Sequence, residues 1–390
     1  MKSHIIVITE PDDSELALEE TRAQLAEMEL LKNSVGIVTI HPDYLSSGVY
    51  AEVVRALPFP VIGGTTIAQT AKGQMSTFLF SVMVLTSDNC EFSFALSDTL
   101  DNEEDEADCM RRCYNEAKTR LNRDAKLALL YVPYMLGRCA AGYIDEISRI
   151  DENVPVFGFS ASSDMSSIFT DVRVVCGERE YKNRLVVLLI SGNIAPIFYM
   201  VSITKDAVIL ADIGEITEVR HNHITKINNV NASNFFESIG FQVGASIVSG
   251  LLTCTFILDE KDKEGNIIST KSRSMISLDD TGGIFGSDIN KGSILSLAAV
   301  TKDVVMETTD ELISQIKERH KNKTALLYSC IGRRFALLDE PTKEYEHINK
   351  CLVGSGLNYT VAYACGEICP TSSKNIQNSE HNYTLAACVL

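Results

Sequence analysis

The chain has 390 residues, 45% hydrophobic and 22% charged, a globular composition long enough for two cores that excludes extended disorder as its main state. Acidic residues outnumber basic ones 52 to 35, and the net charge of −17 sets a repulsive field against phosphate backbones and anionic lipid. Nucleic acid is therefore not expected as a partner, and no apolar run approaches the ~20 residues of a membrane helix, so no membrane insertion is expected.

The first residues, Met1 to Pro11, lack the apolar core and cleavage site of a secretory signal, which predicts a cytoplasmic protein. Its 11 cysteines are odd in number and sit mostly inside apolar runs, as at Cys254, Cys330, Cys365 and Cys388. Such thiols are expected to stay reduced and buried.

In chain order, residues 4–9 predict a strand, and Ser14 to about Lys32 an amphipathic helix with Leu16, Leu18, Leu25, Met28 and Leu31 among its apolar positions. Val35–Ile40 predicts a buried strand, Tyr50–Leu57 a short helix, and Pro60–Thr66 a strand ending on Gly63-Gly64. Ser76–Thr86 and Cys90–Ser97 predict a hairpin through Ser87-Asp88-Asn89. The order then restarts. Asn102–Leu121 predicts a helix that opens on an acidic run, Leu127–Val132 a buried strand, Gly142–Ile150 a helix and Pro155–Gly158 a strand. Phe169–Cys176, Leu185–Ser191 and Ile197–Ile203 then predict a meander. Pro60-Val-Ile-Gly63 and Pro155-Val-Phe-Gly158 lie 95 residues apart, a period too long for a solenoid and suited to a duplicated α/β unit.

The pattern changes near residues 205–225, the expected domain boundary. Ala207–Ile213 and Ile224–Asn228 predict strands, Ser233–Ile239 a short helix, and Leu252–Asp259 with Ile267–Leu278 a long hairpin turning through charged Glu260–Asn266. A third copy follows: a helix at about Thr309–His320, the strand Ala325–Cys330, a helix at Tyr345–Leu352, and the strand Val361–Cys365 before Gly366. The fold class is α/β, with duplicated mixed-sheet units, helices packed on the sheets, and a β-rich insertion leading to a third, shortened copy.

Candidate chemistry gathers in the last copy. Arg333 and Arg334 follow one strand, Glu367 follows the next, and Asn382 and Thr384 enter the last. If the first two strands are parallel neighbours and the last antiparallel, all these residues reach one sheet edge, where open α/β sheets bind ligands. An arginine fork holds a carboxylate and Glu367 accepts from an ammonium, which suits a zwitterion such as an amino acid; the competing reading is a salt bridge that fastens a loop. Cys330 and Gly366 adjoin these charges, and Gly158 and Ser160 could line the cleft from the second copy. As an enzyme the chain would use Cys330 as nucleophile or Glu367 as base, but no histidine stands beside Cys330 in sequence, and no enzyme activity is expected. Cys365, Cys369 and His381 have only loose metal spacing, and His221-Asn222-His223 reads as a polar loop. Neither a nucleotide loop nor a metal site is expected.

The same stretches carry a resemblance. Cys330-Ile-Gly-Arg-Arg334, Ala364-Cys-Gly-Glu-Ile368 and His381-Asn-Tyr-Thr384 resemble the C-terminal half of the FIST (F-box and intracellular signal transduction) family. Pro155–Ser162 with Leu185–Gly192 resembles its N-terminal half, and Arg273–Gly283 followed by Lys291–Leu297 agrees. The resemblance implies an N-type domain over residues 1–210, with repeated units at about 10–98 and 102–203, and a C-type domain over 220–390. It implies a sensory module that binds a small ligand and passes occupancy to a signalling protein such as a kinase, cyclase or chemoreceptor component. No cofactor is expected; in an alternative that the resemblance also implies, haem is held by His347 or His381 and senses nitric oxide.

Overall fold

A computed structural model describes the whole chain except residues 102–105, 165–166, 169, 247–254 and 372–375. Cys254, the first turn predicted for the Asn102–Leu121 helix, and the start of the Leu252–Asp259 strand lie outside the described residues.

The chain writes one six-strand pattern three times. First come β1 (Lys2–Ile8), α1 (Ser14–Ala26), β2 (Asn33–Ile40), α2 (Asp43–Ser46), α3 (Val49–Ala56), β3 (Val61–Thr65), β4 (Gln69–Ala71), β5 (Gln74–Ser76) and β6 (Phe80–Ser87). The second set is β7 (Glu91–Leu96), α4 (Glu106–Thr119), β8 (Ala125–Val132), α5 (Ala141–Ile150), β9 (Val156–Ser160), β10 (Val174–Cys176), β11 (Arg179–Tyr181) and β12 (Val186–Ser191). The third opens with β13 (Ile197–Ser202) and is interrupted by β14 (Val208–Arg220), β15 (His223–Ile227), β16 (Val230–Asn231), α6 (Ala232–Ser238), β17 (Thr255–Lys261), β18 (Ile267–Arg273), β19 (Met275–Leu278), β20 (Gly283–Phe285) and β21 (Ile294–Ala299). It resumes as α7 (Lys302–Arg319), β22 (Thr324–Cys330), α8 (Ile331–Ala336), α9 (Lys343–Leu352), β23 (Asn358–Ala364), β24 (Gly366–Pro370), β25 (Asn378–His381) and β26 (Thr384–Val389).

The pairing explains why three copies make one body. The sheets run β1-β6-β2-β3-β10-β11, β7-β12-β8-β9-β24-β25 and β13-β26-β22-β23-β4-β5, so each unit lends its short hairpin to another unit's sheet in a closed cycle. The inner faces of all three sheets share one core that includes Ile37, Leu129, Phe157, Tyr131, Tyr328 and Ala362. Tyr131 and Tyr328 meet there through their hydroxyls at 3.1 Å. The outer faces pack against helices: α1 to α3 on the first, α4 and α5 on the second, α7 and α9 on the third. The insertion has its own core around Phe236, Phe256 and Phe285.

Several sequence expectations are corrected by this pairing. The predicted hairpin of β6 with β7 does not form: β6 pairs with β1 and β2, while β7 pairs with β12 in the next sheet. The predicted meander is likewise dispersed, with β10 on β3, β12 on β8 and β13 on β26. Local apolar runs report burial but not the partner, which here comes from another unit. Helix α1 stops at Ala26, and Leu16, read as an apolar position, is 46% exposed. Helix α7 begins at Lys302, seven residues before the expected start at Thr309, because Thr301 caps it by accepting from the Val304 N–H. Strand β14 runs unbroken to Arg220, across most of the region read as a boundary.

Candidate functional site

The ends of β22 and β23 lie side by side in a parallel pair, Cys330 opposite Ala364, and β26 runs antiparallel to β22. The C-terminal edge of the third sheet therefore gathers Cys330, Glu367 and Thr384. Arg333 lies in a short helix, α8, instead of a loop, and its side chain turns into the protein. Its Nε and Nη2 both donate to Glu344 Oε1, at 2.8 and 2.7 Å; Nη1 donates to Thr308, and Nη2 also to Thr309 and the Val305 carbonyl. Glu344 accepts in addition from Ser329, Thr309 and Tyr363. Burial pushes the Glu344 carboxyl up, but the Arg333 guanidinium and these hydrogen bonds outweigh it and hold the group below the usual range. Both residues are fully buried, so this pair binds α7, α8 and α9 to the sheet. Arg334 is only partly buried; its Nε meets no hydrogen-bond partner among the described residues, and its charge lies toward Tyr345 and Tyr363.

A different group of side chains remains unsatisfied. Glu367 is the second residue of β24 and fully buried. Its Oε2 accepts from Thr384 Oγ1 at 2.6 Å, while its Oε1 has no partner among the described residues. Asn382 is also buried and donates from Nδ2 to the His381 carbonyl, but its Oδ1 is likewise unpartnered. An unpaired buried acceptor costs about 1–3 kcal/mol, so two in one segment call for a donor. Burial raises the Glu367 carboxyl well above its usual value, against the pull of Thr384 and Arg333.

Glu380 completes the cluster. Its Oε2 accepts from the Ala140 N–H at 2.8 Å and from Ser287 Oγ at 3.2 Å, and its Oε1 accepts from Ser160 Oγ at 3.1 Å. Burial first, then the charge of Asp288, lifts its pKa to about 7. Gly366 makes room: a Cβ there would stand 3.1 Å from Glu380 Oε1 and 3.5 Å from Asn382 Nδ2. The insertion closes the cluster from above, with Ser272 donating to the Asn382 carbonyl and Gly286 against Asn382 Oδ1. Arg273, itself buried, is spent on Asp288 and on the Ser272 carbonyl. Beside Ser160, Tyr134 and Cys139 line a cavity of about 10 Å³, room for one water.

The structure thus brings together Glu367, Thr384, Asn382, Gly366 and Ser160, and leaves Arg333 and Arg334 aside. Gly158 frames the cluster without facing it, pairing with Leu130 on one side and Ile368 on the other. Cys330 is buried; burial and the neighbouring Glu367 push its thiol far up, so it stays protonated and is a poor nucleophile. Sequence reasoning missed Glu380, Ser287 and Glu344. Glu380 sits in a strand that the sequence does not predict, and Ser287 arrives from the insertion, so no local pattern marks either.

The histidines considered for haem do not fit an axial ligand. His381 is buried, its Nε2 is held on the Cys369 carbonyl at 3.0 Å, and burial lowers its pKa to about 4. His347 turns its Nε2 to Asp310 on the outer helices. Among the described residues no three His, Cys, Asp or Glu side chains stand close enough to hold a metal ion.

Comparison with known proteins agrees with the sequence pattern: residues 34–230 match the FIST N domain and residues 242–370 the FIST C domain. The chain belongs to the FIST family. FIST domains are sensory domains of signalling proteins that bind small ligands. The two matches meet inside the insertion, so the cluster joins Ser160 of the FIST N domain to Gly366 and Glu367 of the FIST C domain. A crystal structure of a cyanuric acid hydrolase from A. caulinodans aligns over 100% of this chain and 98% of its own, at 10% identity and a TM-score of 0.35, a likeness too slight to carry an argument. No curated protein matches the chain. No helix among the described residues is long and apolar enough to cross a membrane.

Proposed function

We propose that this FIST protein senses a small ligand carrying an ammonium group, an amino acid or amine, in the acidic cluster of Glu367, Glu380 and Asn382. The observation that supports this most directly is that two buried polar atoms, Glu367 Oε1 and Asn382 Oδ1, have no hydrogen-bond partner among the described residues. An ammonium has three N–H donors and a charge, and would donate to Asn382 Oδ1 and, by displacing the carboxyl proton, to ionised Glu367.

Signalling follows from what covers the cluster. Ser287 and Gly286 of the insertion lie directly against Glu380 and Asn382, so a ligand that reaches these side chains displaces the loop that carries them. Occupancy would then favour a second placement of the insertion and present a changed surface to a signalling partner. The chain acts in this reading as a binding module and not as an enzyme.

A thermal-shift panel of amino acids, the matching amines and the matching deaminated acids tests the reading. Amines and amino acids are expected to raise the melting temperature, deaminated acids are not, and Asn382→Ala is expected to reduce the shift. Equal shifts with deaminated acids, or none with any amine, would overturn it.

A further inference from the structure

A second site lies outside the sensory cluster, in the groove between α7 and α9. Asp310, Ile313, Ser314, Lys317, Glu318 and Lys321 line a cleft of about 610 Å³, and Cys351 closes it from α9. Cys351 is one of few described cysteines that is not buried. Its Sγ stands 3.7 Å from Nε2 of His347, one helical turn earlier, and the same Nε2 is held by Asp310. Nε2 of His347 thus lies between the Asp310 carboxylate and the Cys351 sulfur at the wall of the cleft. Cys113, Cys330 and Cys369 are buried, and burial pushes their thiols up.

We propose that Cys351 is a modification site for small anionic disulfides, with Lys317 and Lys321 attracting their carboxylates and His347 holding the reactive sulfur. In the step, the Cys351 sulfur attacks one sulfur of the disulfide. The new S–S bond forms as the old one breaks, and the expelled thiolate takes up a proton, matching the proton that Cys351 gave up. The protein thiol is oxidised to a mixed disulfide and half of the reagent is reduced to a thiol, so no further oxidant is needed. Glu318 and Asp310 share the cleft with the two lysines.

The full chain is treated with dithiobis(nitrobenzoate), a dianionic disulfide, and with neutral dithiodipyridine, and the first labelled peptide is identified by mass. Cys351 is expected to react first, about 10-fold faster than any other thiol. His347→Gln should slow it several-fold with both reagents, while Lys317→Gln with Lys321→Gln should slow only the dianionic one. Both lysines are exposed, so that variant is expected to fold, and the neutral reagent reports on the same sulfur in it. First labelling at another cysteine would overturn the proposal. So would a Cys351 rate unchanged by His347→Gln, or equal loss with both reagents in the lysine variant.

Discussion

Arg333 shows how far a residue can be read without its partners. Two adjacent arginines after a strand suggest a ligand fork, but the carboxylate that takes Arg333 arrives 11 residues later on α9 and saturates it. Breaking such a buried pair costs about 3–5 kcal/mol, which makes it structural. Glu367 was legible as an acid at a sheet edge; that one of its oxygens lacks a donor was not, because the sequence does not state which neighbours are absent. Glu380 carries a prediction at this scale. Its folded-state pKa is raised from 4.5 to about 7, so the stability it contributes is full below pH 4.5 and is lost as pH rises through 7. His381, lowered from 6.5 to about 4, runs the other way, with its stability present above 6.5 and lost as pH falls through 4. That opposing slope is common to wild type and Glu380→Gln and drops out of their difference. The variant should therefore gain on wild type between pH 4.5 and 7, by up to about 3 kcal/mol, in urea melts at stepped pH. A difference that stays flat across that window would refute the raised carboxyl.

At the scale of elements, the sequence showed most strands and helices and concealed their partners. Buried runs such as Leu127–Val132 declare themselves by composition, but no strand is predicted from the sequence where β24 and β25 lie. The partner of β24, β9, lies some two hundred residues earlier, where a local pattern cannot reach. The echo of Gly63 and Gly158 had a physical cause. Each is the third residue of its strand and packs on the neighbouring parallel strand, where a Cβ would stand 2.0 Å from the Val38 carbonyl oxygen or 1.8 Å from that of Leu130. Gly158→Ala should destabilise the protein by about 2–4 kcal/mol through a shifted β8–β9 pair. Gly63→Ala should do so comparably. Urea midpoints within experimental error of wild type for both would show that neither contact is tight.

Over the whole molecule, the cyclic lending of hairpins makes each sheet depend on another unit, so the cluster at the β9–β24 seam is held by residues of the second unit, the third unit and the insertion. Ser160 comes from the second unit, Glu367 and Glu380 from the third, and Ser287 from the insertion. The order of motifs made the family legible, whereas the closure of the cluster by the insertion depends on tertiary packing alone. The central claim is that an ammonium replaces a proton on a buried carboxyl of this cluster. Calorimetric titration at pH 7 in buffers of different ionisation enthalpy measures this directly, using the amine that gives the largest thermal shift. The account predicts release of up to one proton per ligand bound, and loss of that release with Glu367→Gln; binding that releases no proton, or that Glu367→Gln leaves unchanged, would contradict it.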